Sequence, residues 1–158
     1  MKTIKLGKFT INSGKMYASD PGYDKKTWCQ ILIDNVANGE WEAKIVNKDC
    51  GSWGVRVSKL IVKKVRIKKP QSILICDGEV GVDSGQAGFF DSNCPLGEGD
   101  YEDRNSFYGK CCYLTLNEPD GGVIENGCVS SSGYGDGGYD CRVGLTDGLV
   151  TYAEIRFC

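Results

Sequence analysis

The stretch CRVGLTDGLVTYAEIRF, residues 141–157, constrains the chain more than any other. From Leu149 onward apolar and polar residues alternate: Leu149, Thr151, Ala153, Ile155 and Phe157 share one parity, and Val150, Tyr152, Glu154 and Arg156 the other. A period of two is the mark of a strand with one buried face. Upstream, Tyr139, Cys141, Val143 and Leu145 alternate in the same way. Between them stands Asp147-Gly148, a pair suited to the positive φ angles of a tight hairpin turn. Two antiparallel strands are therefore expected at this end of the chain.

The rest reads in the same key. Asn38-Gly39 in NVANGEWEAKI is a second hairpin signal, followed by a strand with Trp41, Ala43 and Ile45 turned inward and Glu40, Glu42 and Lys44 outward. VRVSKLIVKKVRIKK, 55–69, reads as one long strand, with Arg56, Lys64, Arg66 and Lys68 forming a basic stripe. YDKKTWCQILIDNV, 23–36, carries both a helical spacing and an alternation through Cys29, Ile31 and Ile33; strand is preferred. Helix signals are otherwise scarce. There are 22 glycines in 158 residues, about twice ordinary usage, which suits many tight turns. The expected fold is mainly β: one domain over 1–158, an antiparallel β-sandwich or rolled sheet of roughly ten strands with glycine-rich turns.

Charge is divided along the chain. Residues 1–75 carry 15 Lys and Arg against 6 Asp and Glu, a balance of +9; residues 76–158 carry 4 against 15, a balance of −11. Attraction between packed sheets or between subunits of a homo-oligomer is one explanation, and separate basic and acidic partner surfaces another. The net charge of −2 and a single basic run argue against nucleic acid as a partner. No apolar run approaches the roughly 18–20 residues of a membrane span. Lysines 2, 5, 8 and 15 interrupt the first apolar residues, unlike a signal peptide. With nine cysteines, no C-x-x-C pair and no histidine, the expectation is a cytoplasmic protein with cysteines used as small packing residues.

The absence of histidine removes Ser-His-Asp and Cys-His catalysis within one chain. No phosphate-binding G-x-x-x-x-G-K-[ST] loop is present either. Carboxylates remain. Asp20 in ASDPGY, Asp83 and Asp91 in GVDSGQAGFFD, and Asp136 in GYGDGGYD all stand in glycine-rich or turn settings. Each is expected either to bond nearby backbone amides or to join the others around a divalent metal. Tyr23, Trp53, Arg56, Asp83, Gln86, Tyr134 and Asp136 are the candidate ligand contacts, with Trp53, Tyr23 and Tyr134 offering rings and Arg56 a cation.

Three runs, SGKMYASDP (13–21), GVDSGQAGFFD (81–91) and the block from Ser130 to Phe157, resemble in order and spacing an uncharacterised family of bacteria and their phages, domain of unknown function 4241. The resemblance implies a β-rich domain and no activity; Asp83, Asp91 and Asp136 match its motif positions and so become candidates for a shared role.

The reading that follows is a non-catalytic binding protein without a cofactor. Its ligand is a small anionic molecule, a nucleotide or cyclic nucleotide, sequestered in a contest between phage and bacterial defence. Two alternatives stay open. One is a phosphoester hydrolase with metal held by Asp20, Asp83, Asp91 and Asp136. The other is an immunity-type module whose acidic half covers a basic protein.

Overall fold

A computed structural model describes residues 1–158. In chain order the strands are β1 (Lys2–Ile11), β2 (Met16–Ser19), β3 (Ile31–Ile33), β4 (Gly39–Asp49), β5 (Val55–Lys64), β6 (Ser72–Ile75), β7 (Val80–Val82), β8 (Gln86–Asp91), β9 (Gly121–Ile124), β10 (Gly127–Ser131), β11 (Gly137–Thr146) and β12 (Leu149–Arg156). One helix, α1 (Phe107–Leu116), and a 3₁₀ turn at Gly51–Trp53 complete the chain. The fold is mainly β, as its alternation requires, with twelve strands rather than ten.

The strands make two antiparallel sheets. The larger runs β1-β4-β5-β12-β11-β6, with β7 also paired to β11; the smaller runs β3-β2-β8-β10-β9. Their inward residues meet in one cluster that includes Ile11, Trp41, Ile45, Leu60, Val62 and Ile155 from the large sheet and Met16, Phe89 and Cys128 from the small one. Trp41 sits at its centre, stacked on Phe9, with the indole N–H donated to the Ala37 carbonyl at 2.9 Å. A smaller cluster of Tyr17, Phe90, Cys94, Leu96, Cys111 and Val129 lies under α1. No helix is long and apolar enough to cross a membrane.

The β11–β12 hairpin forms as the alternation demands. Asp147 and Gly148 both take positive φ, 51° and 82°, in a two-residue turn between Thr146 and Leu149. Thr151, Ala153, Ile155 and Phe157 are buried; Leu149, at the turn, is not. β3 forms at Ile31–Ile33, the strand alternative for that segment.

Three expectations are corrected. Asn38-Gly39 does not close a hairpin, because β3 and β4 belong to different sheets. The segment between them crosses from one sheet to the other: the Ala37 N–H donates to Val150, the Val150 N–H to Asn35, and the Asn38 side chain accepts from the Gly14 N–H. Nor is 55–69 one strand with a basic stripe. β5 ends at Lys64, and Arg66 turns the chain with φ of 74°. Within β5 the register shifts opposite Val46/Asn47, where one extra residue, Ser58, is accommodated. That bulge reverses the parity, so Val57 faces inward before it and Leu60 and Val62 after it, and the cations separate. The third is α1, which no apolar periodicity announces: the Ser106 hydroxyl caps it by accepting the Gly109 N–H at 3.0 Å, and Gly109, Cys111 and Cys112 form its buried face.

The opposite charges of the two halves do not meet as ion pairs. The four salt bridges are Lys8–Glu40, Lys15–Asp34, Lys63–Glu42 and Arg156–Glu154, and each joins residues of the same half.

Candidate functional site

The candidate aspartates are best understood from the bend between β7 and β8, residues 83–85. Three successive backbone N–H groups point out of this bend and need acceptors. The Asp20 carboxylate accepts those of Asp83 and Ser84, both at 2.8 Å, and also the Ser84 hydroxyl at 2.7 Å and the Gly22 N–H at 2.8 Å. Asp136 accepts the third, from Gly85, at 3.0 Å. The Ser132 N–H closes the bend from the far side by donating to the Gly85 carbonyl. Asp91 does the same work elsewhere: it accepts the N–H groups of Asn12, Ser13 and Asn93 at 2.6, 3.0 and 2.9 Å.

The three sequence blocks that share glycines and aspartates are thus bound to one another. Asp20 in the first holds the bend of the second, Asp136 in the third holds the same bend, and Asp91 at the end of the second holds the turn that opens the first. The strands between them, β2, β8 and β10, are neighbours in the small sheet.

The four aspartates of the metal set are engaged separately. Asp20 and Asp91 are buried and their oxygens are turned to amide donors; no three His, Cys, Asp or Glu side chains gather where one ion could be held. Asp83 contributes its backbone to the Asp20 cluster, while its carboxylate lies in solvent. Gln86 is engaged within the fold as well. It is buried, donating to the Cys112 sulfur at 3.3 Å and accepting the Thr115 hydroxyl at 3.1 Å, and so fastens α1 to β8 instead of facing a ligand.

The remaining ligand candidates fall into two groups. Tyr23 and Asp83 line a cleft of about 330 Å³ with Asp20, Ser84 and Tyr108. Tyr23 also borders a neighbouring cleft of about 420 Å³ with Trp28, Glu79 and the glycines at 78, 81, 137 and 138. Neither cleft has a Lys or Arg in its lining. Burial, with the Cys29 thiol and the Asp83 and Asp20 charges adding to it, pushes the Tyr23 phenol up to about 12. An anion gains nothing electrostatically from such walls.

Trp53, Arg56 and Tyr134 form the second group. The rings of Trp53 and Tyr134 meet edge to face with centroids 5.1 Å apart. The Arg56 guanidinium lies 5.8 Å from the Trp53 ring, held by a 2.7 Å bond from its Nε to the Trp53 carbonyl. Both rings stay exposed, Trp53 by 56% and Tyr134 by 43%. Lys48 is the cross-strand partner of Arg56, and neither cation is in a salt bridge. Beneath the rings, Cys50 and Cys158 bring their sulfurs to 3.6 Å, and contact with the Cys50 thiol raises the Tyr134 phenol above its ordinary value.

The loop that carries Tyr134 is fixed on both sides. Gly133, at φ of 70°, presses against the Val57 carbonyl so closely that a Cβ would collide with it. The Ser132 and Tyr139 hydroxyls both donate to the Gly135 carbonyl at 2.7 Å. Tyr139 is half-buried, its ring set edge-on against Phe157 at 5.1 Å. The glycines of SGYGDGGY therefore allow a tight bend that presents Tyr134 outward on one side and anchors Asp136 to Gly85 on the other.

Set against family models, curated proteins and solved structures, the chain finds no match.

Proposed function

We propose that the protein is a non-catalytic binding module whose ligand is a small anion bearing a flat ring, of the nucleotide class, received on the Trp53–Tyr134–Arg56 surface. The observation that carries this reading is the convergence of two exposed rings, from loops far apart in sequence, beside two cations that have no acidic partner. An exposed aromatic pair offers a face or an edge for stacking. An arginine whose Nε is already engaged still presents its terminal N–H groups, and these match a phosphate. Lys48 adds a second positive charge on the neighbouring strand. The reactive groups beside the rings are the Cys50 and Cys158 thiols, with no histidine in the chain to act as their base, so the reading is binding and retention rather than turnover. Sequestration of a nucleotide signal, the role expected for a phage protein facing a bacterial defence, needs no more than this.

A thermal-shift screen with mono-, di- and cyclic nucleotides, in EDTA and in Mg²⁺, tests it. A ligand at 100 times its dissociation constant adds about 2.7 kcal/mol of stability, which moves a domain of this size by several degrees. The shift is expected with a nucleotide class in EDTA and is expected to be unchanged by Mg²⁺. A shift that requires the metal supports the aspartate hydrolase instead.

A further inference from the structure

Six of the nine thiols are buried; Cys50, Cys76 and Cys158 are the accessible ones. Two of these three face each other. The Cys50 and Cys158 sulfurs are 3.6 Å apart, Cys50 just after β4 and Cys158 two residues beyond the end of β12. Each thiol also has a backbone carbonyl within reach, Lys48 at 3.6 Å for Cys50 and Val57 at 3.8 Å for Cys158. The sulfur–sulfur contact is itself a hydrogen bond in which either thiol can donate to the other. A disulfide needs the sulfurs at about 2.05 Å, an approach of roughly 1.5 Å from their present separation.

We infer that Cys50 and Cys158 are a reversible thiol–disulfide site, closed by a low-molecular-weight disulfide and opened by a small dithiol. In closing, the Cys50 thiolate attacks one sulfur of the small disulfide, forming a mixed disulfide and releasing one small thiolate. The Cys158 thiolate then attacks the Cys50 sulfur and expels the second. The protein loses two electrons and two protons, and the small disulfide becomes two thiols. Burial and the Cys50 neighbour raise the Cys158 thiol, so its attack speeds as pH rises.

Two consequences follow from position. The bond joins residues 108 positions apart, so it ties the segment after β12 to the β4–β5 connection and limits the unfolded chain. It also forms directly against Tyr134, whose hydroxyl faces both sulfurs, and so repositions the Trp53–Tyr134 pair. The site stands on the sulfur geometry alone and does not depend on the ligand proposed above.

The test uses the full chain incubated with excess oxidised glutathione, quenched by alkylation, and mapped by peptide mass before and after dithiothreitol. The expected product is a peptide linking Cys50 to Cys158, lighter by two hydrogens and opened by the reductant. Its melting temperature should rise by several degrees, and its tryptophan emission should change. Cys50→Ser and Cys158→Ser variants, which each replace a half-buried thiol outside the core, should melt as the reduced protein does and show neither effect. Recovery of Cys50 and Cys158 as free thiols or as stable glutathione adducts overturns the inference. A linkage of Cys76 to its neighbour Cys141 with the other pair left reduced overturns it equally.

Discussion

Ser84 gives Asp20 two hydrogen bonds, one from its backbone N–H at 2.8 Å and one from its hydroxyl at 2.7 Å. Together with Asp83 and Gly22, these surround a carboxylate that is 1% exposed. Asp20→Asn keeps the shape and loses the charge and two acceptor lone pairs, turning an NH₂ group toward N–H donors. It should destabilise the protein by roughly 2–4 kcal/mol, read as a lower urea midpoint at unchanged slope. Asp136→Asn, which leaves an amide oxygen to accept the single Gly85 N–H and loses only the charge of an exposed side chain, should lower stability by less than about 1 kcal/mol. Equal losses from the two would contradict the account of the bend.

Gly88 lies in the middle of β8 between two strands. A Cβ there would strike the Cys128 carbonyl and the Phe90 ring. Gly88→Ala is expected to cost roughly 3 kcal/mol by overpacking, or to abolish folding. Gly148→Ala, in open space but at φ of 82°, should lower stability by about 1 kcal/mol through backbone strain alone. Chemical denaturation of the pair separates crowding from conformation.

Several thiols and phenols hold their protons beyond the ordinary range. Burial pushes Cys94, Cys128 and Tyr152 up to about 12. Between about pH 9 and about pH 12 the unfolded chain has released protons that the folded chain retains. Its bound-proton number is then the smaller, and stability falls as pH rises. The contribution is whole below about pH 9. Melting temperature in reducing buffer should hold steady from pH 7 to 8.5 and decline steeply above it. The decline should be shallower in Cys128→Ala, whose starting stability is lower.

Much of this was legible in the residues, and the exceptions have physical reasons. The β11–β12 hairpin could be read from alternation and Asp147-Gly148 because its contacts are local. Asn38-Gly39 carries the same dipeptide signal, yet its neighbours pair with Gly14 and Val150, partners that no local pattern announces. The bulge at Ser58 turned a correct strand into a wrong stripe, since one extra residue reverses every side chain beyond it. α1 lacks an apolar stripe and is held by its Ser106 cap and by docking through Cys111, Cys112 and Gln86. The aspartates were the right residues to single out, but whether a carboxylate meets amides, a metal or solvent depends on which loops arrive beside it. Trp53, Arg56 and Tyr134 were legible as types, and only the fold brings them to one place.

The central claim is that this surface binds an anionic ring ligand, and a direct test is calorimetric titration of the nucleotide giving the largest thermal shift into wild type, Trp53→Ala and Arg56→Gln. Both side chains are exposed, so each variant should keep its stability within about 1 kcal/mol. The account predicts that Trp53→Ala weakens binding at least about tenfold, the loss of one stacking contact, and that Arg56→Gln weakens it further at low salt than at high. Unchanged affinity in both variants, or no nucleotide that binds the wild type, would contradict it.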